Sequence, residues 1–333
     1  MDIYVVDIET TGLNGYPKDH IVEISIMRVN LLKQKIEQVY QSVIHYDVSS
    51  WDDSVLNSWI FEKGIVSIDE IKQAKKDLAT VAGEVRKMLS NKFVSAYNNA
   101  FDFDKFLKHE PWNINPEKNK SKFAPCIMLT ASEHVKVPSK YKKRKIIRLT
   151  AAKKYLLNEN TECIKNNKIL ENELVHHGEH RANYDAFYAA CILLELYRRS
   201  QYRIFPRVYY AHSMNIYRTK QEKRELKLIK KTLPKAKIIN PAVYEKKWKD
   251  STGKEIMKRC LDLLSNSDIV VFSAIEQDGS NYVGKGVFIE VKFAEELGME
   301  IYFIGDGLVK TYNLDMYDDN DWSLKFGKVT LVS

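Results

Sequence analysis

Two rhythms of apolar and polar residues run along this 333-residue chain, and they predict its elements. Ile3 to Ile8 is short and almost wholly apolar, the pattern of a buried strand. His20 to Ile26 alternates, so Val22 to Asn30 predicts a second strand, and Lys35 to Tyr46 a third, as antiparallel neighbours. From Ile68 to Asn91 the period lengthens, placing Ile71, Ala74, Leu78, Val81 and Val85 on one face of a helix. Phe93 to Tyr97 predicts a short strand and Leu149 to Leu157 a helix. Asp185 to Arg199 predicts another helix, apolar from Ala186 to Leu196. Three consecutive strands followed by alternating helices and strands give an α/β domain over residues 1–200.

A boundary falls near Ser200 to Pro206, and a fresh alternation fills residues 206–333. Val208 to Ala211, Ala236 to Ile239, Ile269 to Ile275 and Glu300 to Ile304 predict strands. Gln221 to Leu233, Lys254 to Ser265 and Val287 to Leu297 predict the helices between them. That order implies a parallel, doubly wound sheet of the flavodoxin or Rossmann-like kind, with ligands at the carboxyl ends of its strands. The stretch from Leu308 to Val332 is acidic, then strand-like, and predicts a hairpin. No internal repeat or low-complexity tract is visible.

Composition narrows the classes. Hydrophobic residues make up 44% and charged residues 29%, within the ordinary globular range. No run of about 18 apolar residues exists, so no membrane span is expected, and the N-terminus enters a strand without a signal peptide. Cys126, Cys163, Cys191 and Cys260 lie far apart, with no C-x-x-C spacing. They read as reduced thiols of a cytoplasmic protein rather than a disulfide framework. The net charge of +8 is unevenly spread. Between Asn113 and Lys154 stand twelve Lys or Arg against Glu117 and Glu133. Lys142, Lys143 and Arg144 lie at the densest point, beside Tyr141 and followed by Arg148. Such a segment either contacts a phosphate backbone, with Tyr141 available to stack on a base, or is a solvated lysine loop.

The candidate chemistry starts on the first strand. Asp7 and Glu9 are two residues apart, so both carboxylates leave one face. Their repulsion is relieved by a divalent cation, and hard oxygen ligands suit Mg²⁺ or Mn²⁺. Two further stretches carry acids: Asn98-Asn99-Ala100-Phe101-Asp102 and His180-Arg181-Ala182-Asn183-Tyr184-Asp185-Ala186. His180 is a candidate general base, because an ordinary imidazole titrates near neutral pH.

These stretches, with Asp7-Ile8-Glu9-Thr10-Thr11-Gly12, resemble the DEDDh branch of the DnaQ-like 3′→5′ exonucleases. That family includes the proofreading subunit of the bacterial replicative polymerase. The resemblance covers about the first 200 residues and implies an RNase H-like fold. It also implies two-metal hydrolysis of single-stranded DNA or RNA from 3′ ends to nucleoside monophosphates. By resemblance, Asp7, Glu9, Asp102 and Asp185 hold two metal ions and His180 is the base. Thr10, Thr11 and Leu13 form a loop for the terminal nucleotide, Asn98 belongs to the second motif, and Phe101 is either a stacking surface or core. In the family the next large apolar residue usually follows three positions after the second-motif aspartate; here Phe106 follows four after Asp102. Asp104 is therefore a rival for the same seat.

Residues 206–333 resemble, in shorter pieces, the nucleoside 2-deoxyribosyltransferase-like family. Tyr209-Tyr210-Ala211-His212-Ser213 is similar to its first strand and substrate loop, and Ser267-Asp268-Ile269-Val270-Val271 to its aspartate-led strand. Gly286-Val287-Phe288-Ile289-Glu290 places a glutamate four residues after a glycine. The resemblance implies a nucleotide or nucleoside ligand near His212 and Ser213, with Glu290 as candidate nucleophile. Gly284-Lys285-Gly286 departs from the family's Asp-Ser-Gly lead-in. Glu290 then has three readings: catalysis, binding without chemistry, or a structural glutamate in a first helical turn. For the whole chain a second class stays open, a regulator whose second domain senses a nucleotide and gates the nuclease.

Overall fold

A computed structural model describes residues 1–135, 146–158, 181–316 and 327–331 of the chain. The chain divides into two units, Met1–Arg203 and Ile204–Ser333.

In the first unit β1 (Asp2–Thr10) is the central strand of five. β2 (Ile21–Asn30) and β3 (Lys35–Val43) lie antiparallel to one side, as the alternation predicts. β4 (Phe93–Ala96) runs parallel to β1 on the other side, and β5 (Lys122–Phe123) parallel to β4. The order is β3-β2-β1-β4-β5, a mixed α/β, RNase H-like arrangement.

The helical spacing of residues 68–91 is realised as two helices instead of one, α1 (Ile68–Gln73) and α2 (Leu78–Leu89). Ala74 turns extended, and Asp77 starts the second helix by accepting a hydrogen bond from the Thr80 amide. Ile71 therefore packs in a separate cluster with Val22, Ile60 and Val66, while Val81 and Val85 stay on the main core. An aspartate inside an apolar period is a cap signal, and here the cap wins over the period.

Pleating sorts the residues of β1 between two faces. Val6 and Ile8 join Ile24, Ile26, Val94 and Ala96 in the core closed by α2. The odd positions, Ile3, Val5, Asp7 and Glu9, consequently face α5 (Ala182–Arg198), which packs across β1, β2 and β3. α5 also packs against α3 (Ile127–His134) and α4 (Leu149–Leu156), so it is apolar nearly all round. Each of its fully buried Phe, Ile and Leu side chains contributes about 1.5–3 kcal/mol. That packing fixes where its first turn, and Asp185, must stand.

In the second unit β6 (Arg207–Ala211), β7 (Lys237–Ile239) and β8 (Ile269–Phe272) are parallel. The apolar run Ile269–Ile275 ends as a strand of this sheet at Phe272. Its last residue opens β9 (Ile275–Gln277), which turns back through Asp278-Gly279 into β10 (Ser280–Val283). Both turn residues have positive φ, 51° and 72°, the geometry an Asp-Gly hairpin supplies. β11 (Glu300–Ile304) returns to the parallel sheet, and β12 (Leu308–Val309) adds an antiparallel edge, giving β7-β6-β8-β11-β12. The tail forms the expected hairpin, β13 (Tyr312–Met316) with β14 (Gly327–Leu331), and β14 joins β10 in a second, antiparallel sheet. α6 (Lys220–Thr232), α7 (Gly253–Ser265) and α8 (Lys285–Glu296) complete the unit. Val270 and Phe272 share a core with Cys260 and Leu264 of α7 and Val287 and Val291 of α8. Tyr210, of opposite parity, meets Glu225 of α6.

Among the described residues no helix is long and apolar enough to cross a membrane. Among the described residues Cys126 and Cys260 are free thiols.

Candidate active site

Three elements deliver acids to one place. Asp7 and Glu9 leave β1 on the face that meets α5, and Asp185 comes from the first turn of α5. Carboxylate oxygens of these three residues lie within 4.8 Å of one another. Asp102 comes from a π-helix, Ala100–Leu107, that follows β4, and is only 2% exposed. Backbone hydrogen bonds involving Ile8, Asn98 and its own amide hold its carboxylate. The extra residue before Phe106 falls within this π-helix, whose wider turn leaves both Asp102 and Phe106 buried. Asp104 is exposed and pairs with Lys108, away from the cluster.

The acids raise one another. Burial, then the carboxylates of Asp185, Asp102 and Glu9, push Asp7 well above the ordinary carboxylate range. Burial and Asp185 do the same to Glu9, which Arg181 opposes. Burial pushes Asp102 up to about 8 against its backbone hydrogen bonds. Repulsion of this kind is relieved by positive charge brought among the carboxylates. Their hard oxygen donors make them an acidic cluster of the kind that holds divalent cations.

Sequence reasoning missed the residue that locks this geometry. Arg181, inside the third motif, is 7% exposed and forks onto Glu23 of β2 with bonds of 2.9 and 3.0 Å. Its remaining nitrogen donates to the Ile65 carbonyl at 3.0 Å and to Glu70 at 2.9 Å. Glu23 also accepts from the Ala182 amide, and it sits directly opposite Glu9 in the β1–β2 register. One guanidinium thus ties the start of α5 to the strand beside the acids. The available signal was a glutamate, Glu23, on a strand whose other residues are nearly all buried.

The loop after β1 is held by its own polar groups. The Thr10 hydroxyl donates to the Gly12 carbonyl at 2.7 Å, and the Thr11 hydroxyl accepts from the His20 amide at 2.9 Å. Asp19 receives the Asn14 and Gly15 amides at 2.6 and 3.0 Å. A Cβ at position 12 would fall 2.3 Å from Asp19 Oδ1, so only glycine fits while Asp19 keeps those bonds. Leu13 projects from this loop, 73% exposed.

Other expected residues divide. Phe101 is half-buried against the core, edge-on to Phe106 at 5.3 Å. Asn98 acts through its carbonyl, which accepts the Phe101 and Asp102 amides. The side-chain pinning falls to Asn99, which accepts from the Ala96 amide at 2.7 Å and donates to the Ala124 carbonyl at 3.1 Å. His180, Lys142, Lys143 and Arg144 lie outside the described residues.

In the second unit, Glu290 is buried in the core and accepts from the Tyr209 hydroxyl at 2.7 Å. Burial pushes its carboxyl up to about 7 despite the Tyr209 and Cys260 hydrogen bonds. His212 is also buried, stacked on Tyr210 with ring centroids 4.0 Å apart. Its ring nitrogens meet the Tyr210 carbonyl and Glu222 at 3.1 and 3.2 Å. Ser213 caps a short 3₁₀ turn by accepting from the Asn215 amide. Tyr209 and Tyr210 leave opposite faces of β6, so Glu290 and His212 are served by different sides of the sheet.

Comparison with known proteins bears on the first unit. Solved structures resemble the chain at low identity. One is a full-length 3′-exonuclease, 18% identical, covering 60% of this chain and 83% of its own, with a TM-score of 0.40. The cell-death related nuclease 4 is 12% identical, covers 60% and 64%, and scores 0.41. The nuclease domain of 3′hExo, a DEDDh family member bound to rAMP, is 17% identical, covers 61% and 95%, and scores 0.36. No curated protein matches the chain by sequence. The Exonuclease (RNase_T) family, in contrast, matches residues 4–193, more than half of the chain and the stretch that carries all four acids. The chain belongs to the Exonuclease (RNase_T) family and is an exonuclease, a phosphodiester hydrolase.

Proposed function

We propose that the first unit removes nucleotides from the 3′ ends of single-stranded DNA or RNA by two-metal hydrolysis. The observation that supports this best is the meeting of Asp7, Glu9 and Asp185 within 4.8 Å, with enclosed Asp102 alongside. Asp7, Glu9, Asp102 and Asp185 would hold two divalent cations, Mg²⁺ or Mn²⁺, which supply charge neutralisation and Lewis acidity at the scissile phosphate. His180 takes the proton of the attacking water. The water oxygen bonds to phosphorus, the bond to the 3′ oxygen of the preceding nucleotide breaks, and a nucleoside 5′-monophosphate leaves. Leu13, an exposed apolar side chain on a pinned loop, packs against the terminal nucleoside, and Thr10 and Thr11 hold that loop in shape. Arg181 positions Asp185 without touching the reacting atoms.

For the second unit we propose a nucleotide- or nucleoside-binding role, on a doubly wound parallel sheet. The supporting observation is the strand order β7-β6-β8-β11, which reverses direction between β6 and β8, beside His212 and Ser213. The alternative, a gate in which that ligand releases the nuclease, rests on the same observation.

The test uses the full chain and Asp7→Asn with 5′-labelled single-stranded DNA and RNA, in Mg²⁺, Mn²⁺ or chelator. A metal-dependent ladder shortening from the 3′ end in wild type alone supports the reading. Shortening that survives chelator or Asp7→Asn rejects it. Adding nucleosides and nucleotides separates the second-unit readings, since a gated enzyme stays silent without them.

A further inference from the structure

Beside the carboxylates lies a recess of about 490 Å³, walled by α4 and the first turns of α5, whose lining includes Asp185. Its other walls carry Arg148, Lys153, Lys154, Tyr184 and Tyr188. The placement follows from the local sequence. Ala152 and Leu156 bury α4, which leaves Lys153 and Lys154 at the edge of that contact. On α5, Tyr184 and Tyr188 are one turn apart, with Asp185 between them, so both rings line the same wall.

Lys153 is held here without being neutralised. Lys153 Nζ stands 3.7 Å from the Tyr188 ring centroid and 4.8 Å from that of Tyr184, and donates to the Tyr184 hydroxyl at 2.5 Å. Aromatic faces orient an ammonium but leave its charge in place. Among the described residues no carboxylate pairs with Arg148, Lys153 or Lys154. Three uncancelled positive charges thus share a recess with an acid of the cation cluster. A polyanion that enters the active site and continues past it meets both.

We propose that this recess holds the sugar–phosphate backbone of the single strand next to the scissile bond, Lys153 contacting a phosphodiester and Arg148 and Lys154 guiding the strand in. The inference rests on the nuclease reading of the carboxylates and names a subsite for it. A phosphate held in this way gives position and affinity without base preference. Lys153 is a binding residue, so its loss acts on KM for a strand more than on turnover of a lone nucleotide ester.

The experiment compares wild type, Lys153→Met, which keeps the aliphatic stem, and Lys153→Arg, which keeps the charge. Anisotropy of fluorescein-labelled DNA and RNA strands of matched sequence reads binding without turnover, across a salt series. Lys153→Met should weaken binding roughly tenfold, the size of one charge-assisted hydrogen bond. It should also shrink the salt slope by about 0.7, the share of a single neutralised phosphate on a single strand. Lys153→Arg should recover both, and the DNA and RNA arms identify which strand fills the recess. In parallel, kcat/KM on the strand should fall several times more than on the p-nitrophenyl ester of thymidine 5′-monophosphate, which has no neighbouring backbone. Unchanged affinity and salt slope in Lys153→Met would overturn the proposal, as would equal loss on the strand and the small ester. A wild type that binds the strand and never cuts it fails the nuclease reading and leaves the recess to stand on its binding data.

Discussion

In the first unit Asp7, Glu9, Asp102 and Asp185 face one another, whereas in the second Glu222, Glu225 and Glu290 face hydroxyls, amides and an imidazole. Glu222 accepts from Asn240 at 2.9 Å and the Arg218 amide at 2.6 Å, and meets His212. Burial alone would raise it, yet those bonds hold it below the ordinary range. Glu225 accepts from Tyr210 and from Gln221 at 2.9 Å. Enclosure of acids is therefore common to both units and decides nothing. What separates them is the partner: neutral donors complete a structural network, while facing acids call for a cation. Glu290 is intermediate, with one hydroxyl, one thiol and a carboxyl pushed up to about 7.

The sharpest way to break this comparison is one substitution on each side. Asp7→Asn should lower exonuclease activity by about a thousandfold or more, because a metal site supplies several kcal/mol of transition-state stabilisation. Glu290→Gln should leave cleavage within about twofold of wild type if Glu290 plays no part in cleavage. Gel ladders from the labelled strand read both, and comparable losses would erase the distinction.

Next comes the clamp. Arg181→Met leaves Glu23 buried without its counter-charge and should cost about 3–5 kcal/mol. A urea unfolding curve measures it. A cost below about 1 kcal/mol would mean that the fork contributes little to holding the fold.

Glu290 gives a pH test with a definite sign. Its folded value of about 7 lies above the ordinary 4.5, so the folded state holds its proton longer. The associated stability is fully present below about pH 4.5 and is lost as pH rises through about 7, roughly 3 kcal/mol in all. Unfolding free energies from pH 4.5 to 8 should fall less steeply for Glu290→Gln than for wild type. Parallel curves would place the titration elsewhere.

The smallest effect is thermal. Mn²⁺ at 100 times its dissociation constant should add about 2.7 kcal/mol to the folded state. Scanning calorimetry should show that gain in wild type and lose it in Asp185→Asn. A gain retained by the variant would locate the cation at another site.

The carboxylates were the most legible part of the chain, because two of them sit two residues apart on a strand and period 2 fixes their common face. Spacing left Asp104 as a rival, with Asp102 the better fit after Asn98; the π-helix buries Asp102 and exposes Asp104. Arg181 and Glu23 lie 158 positions apart, and nothing local to either announces their fork. Ala74 and Asp77 show the opposite failure: the longer apolar period predicts one helix, and the local Asp77 cap divides it into two. The run Ile269–Ile275 misled for a related reason. Apolar continuity says buried, but it does not say in which sheet, and the Asp278-Gly279 turn carries that information.

Helix α5 has one more consequence. It supplies the last of the four acids and crosses β1, β2 and β3, so it is both the lid of the core and its final piece. A chain leaving the ribosome, N-terminus first, carries Asp7, Glu9 and Asp102 long before Asp185 exists to meet them. A product cut short before Ala182 therefore lacks both the fourth acid and the helix that covers the sheet, and so cannot assemble the cluster.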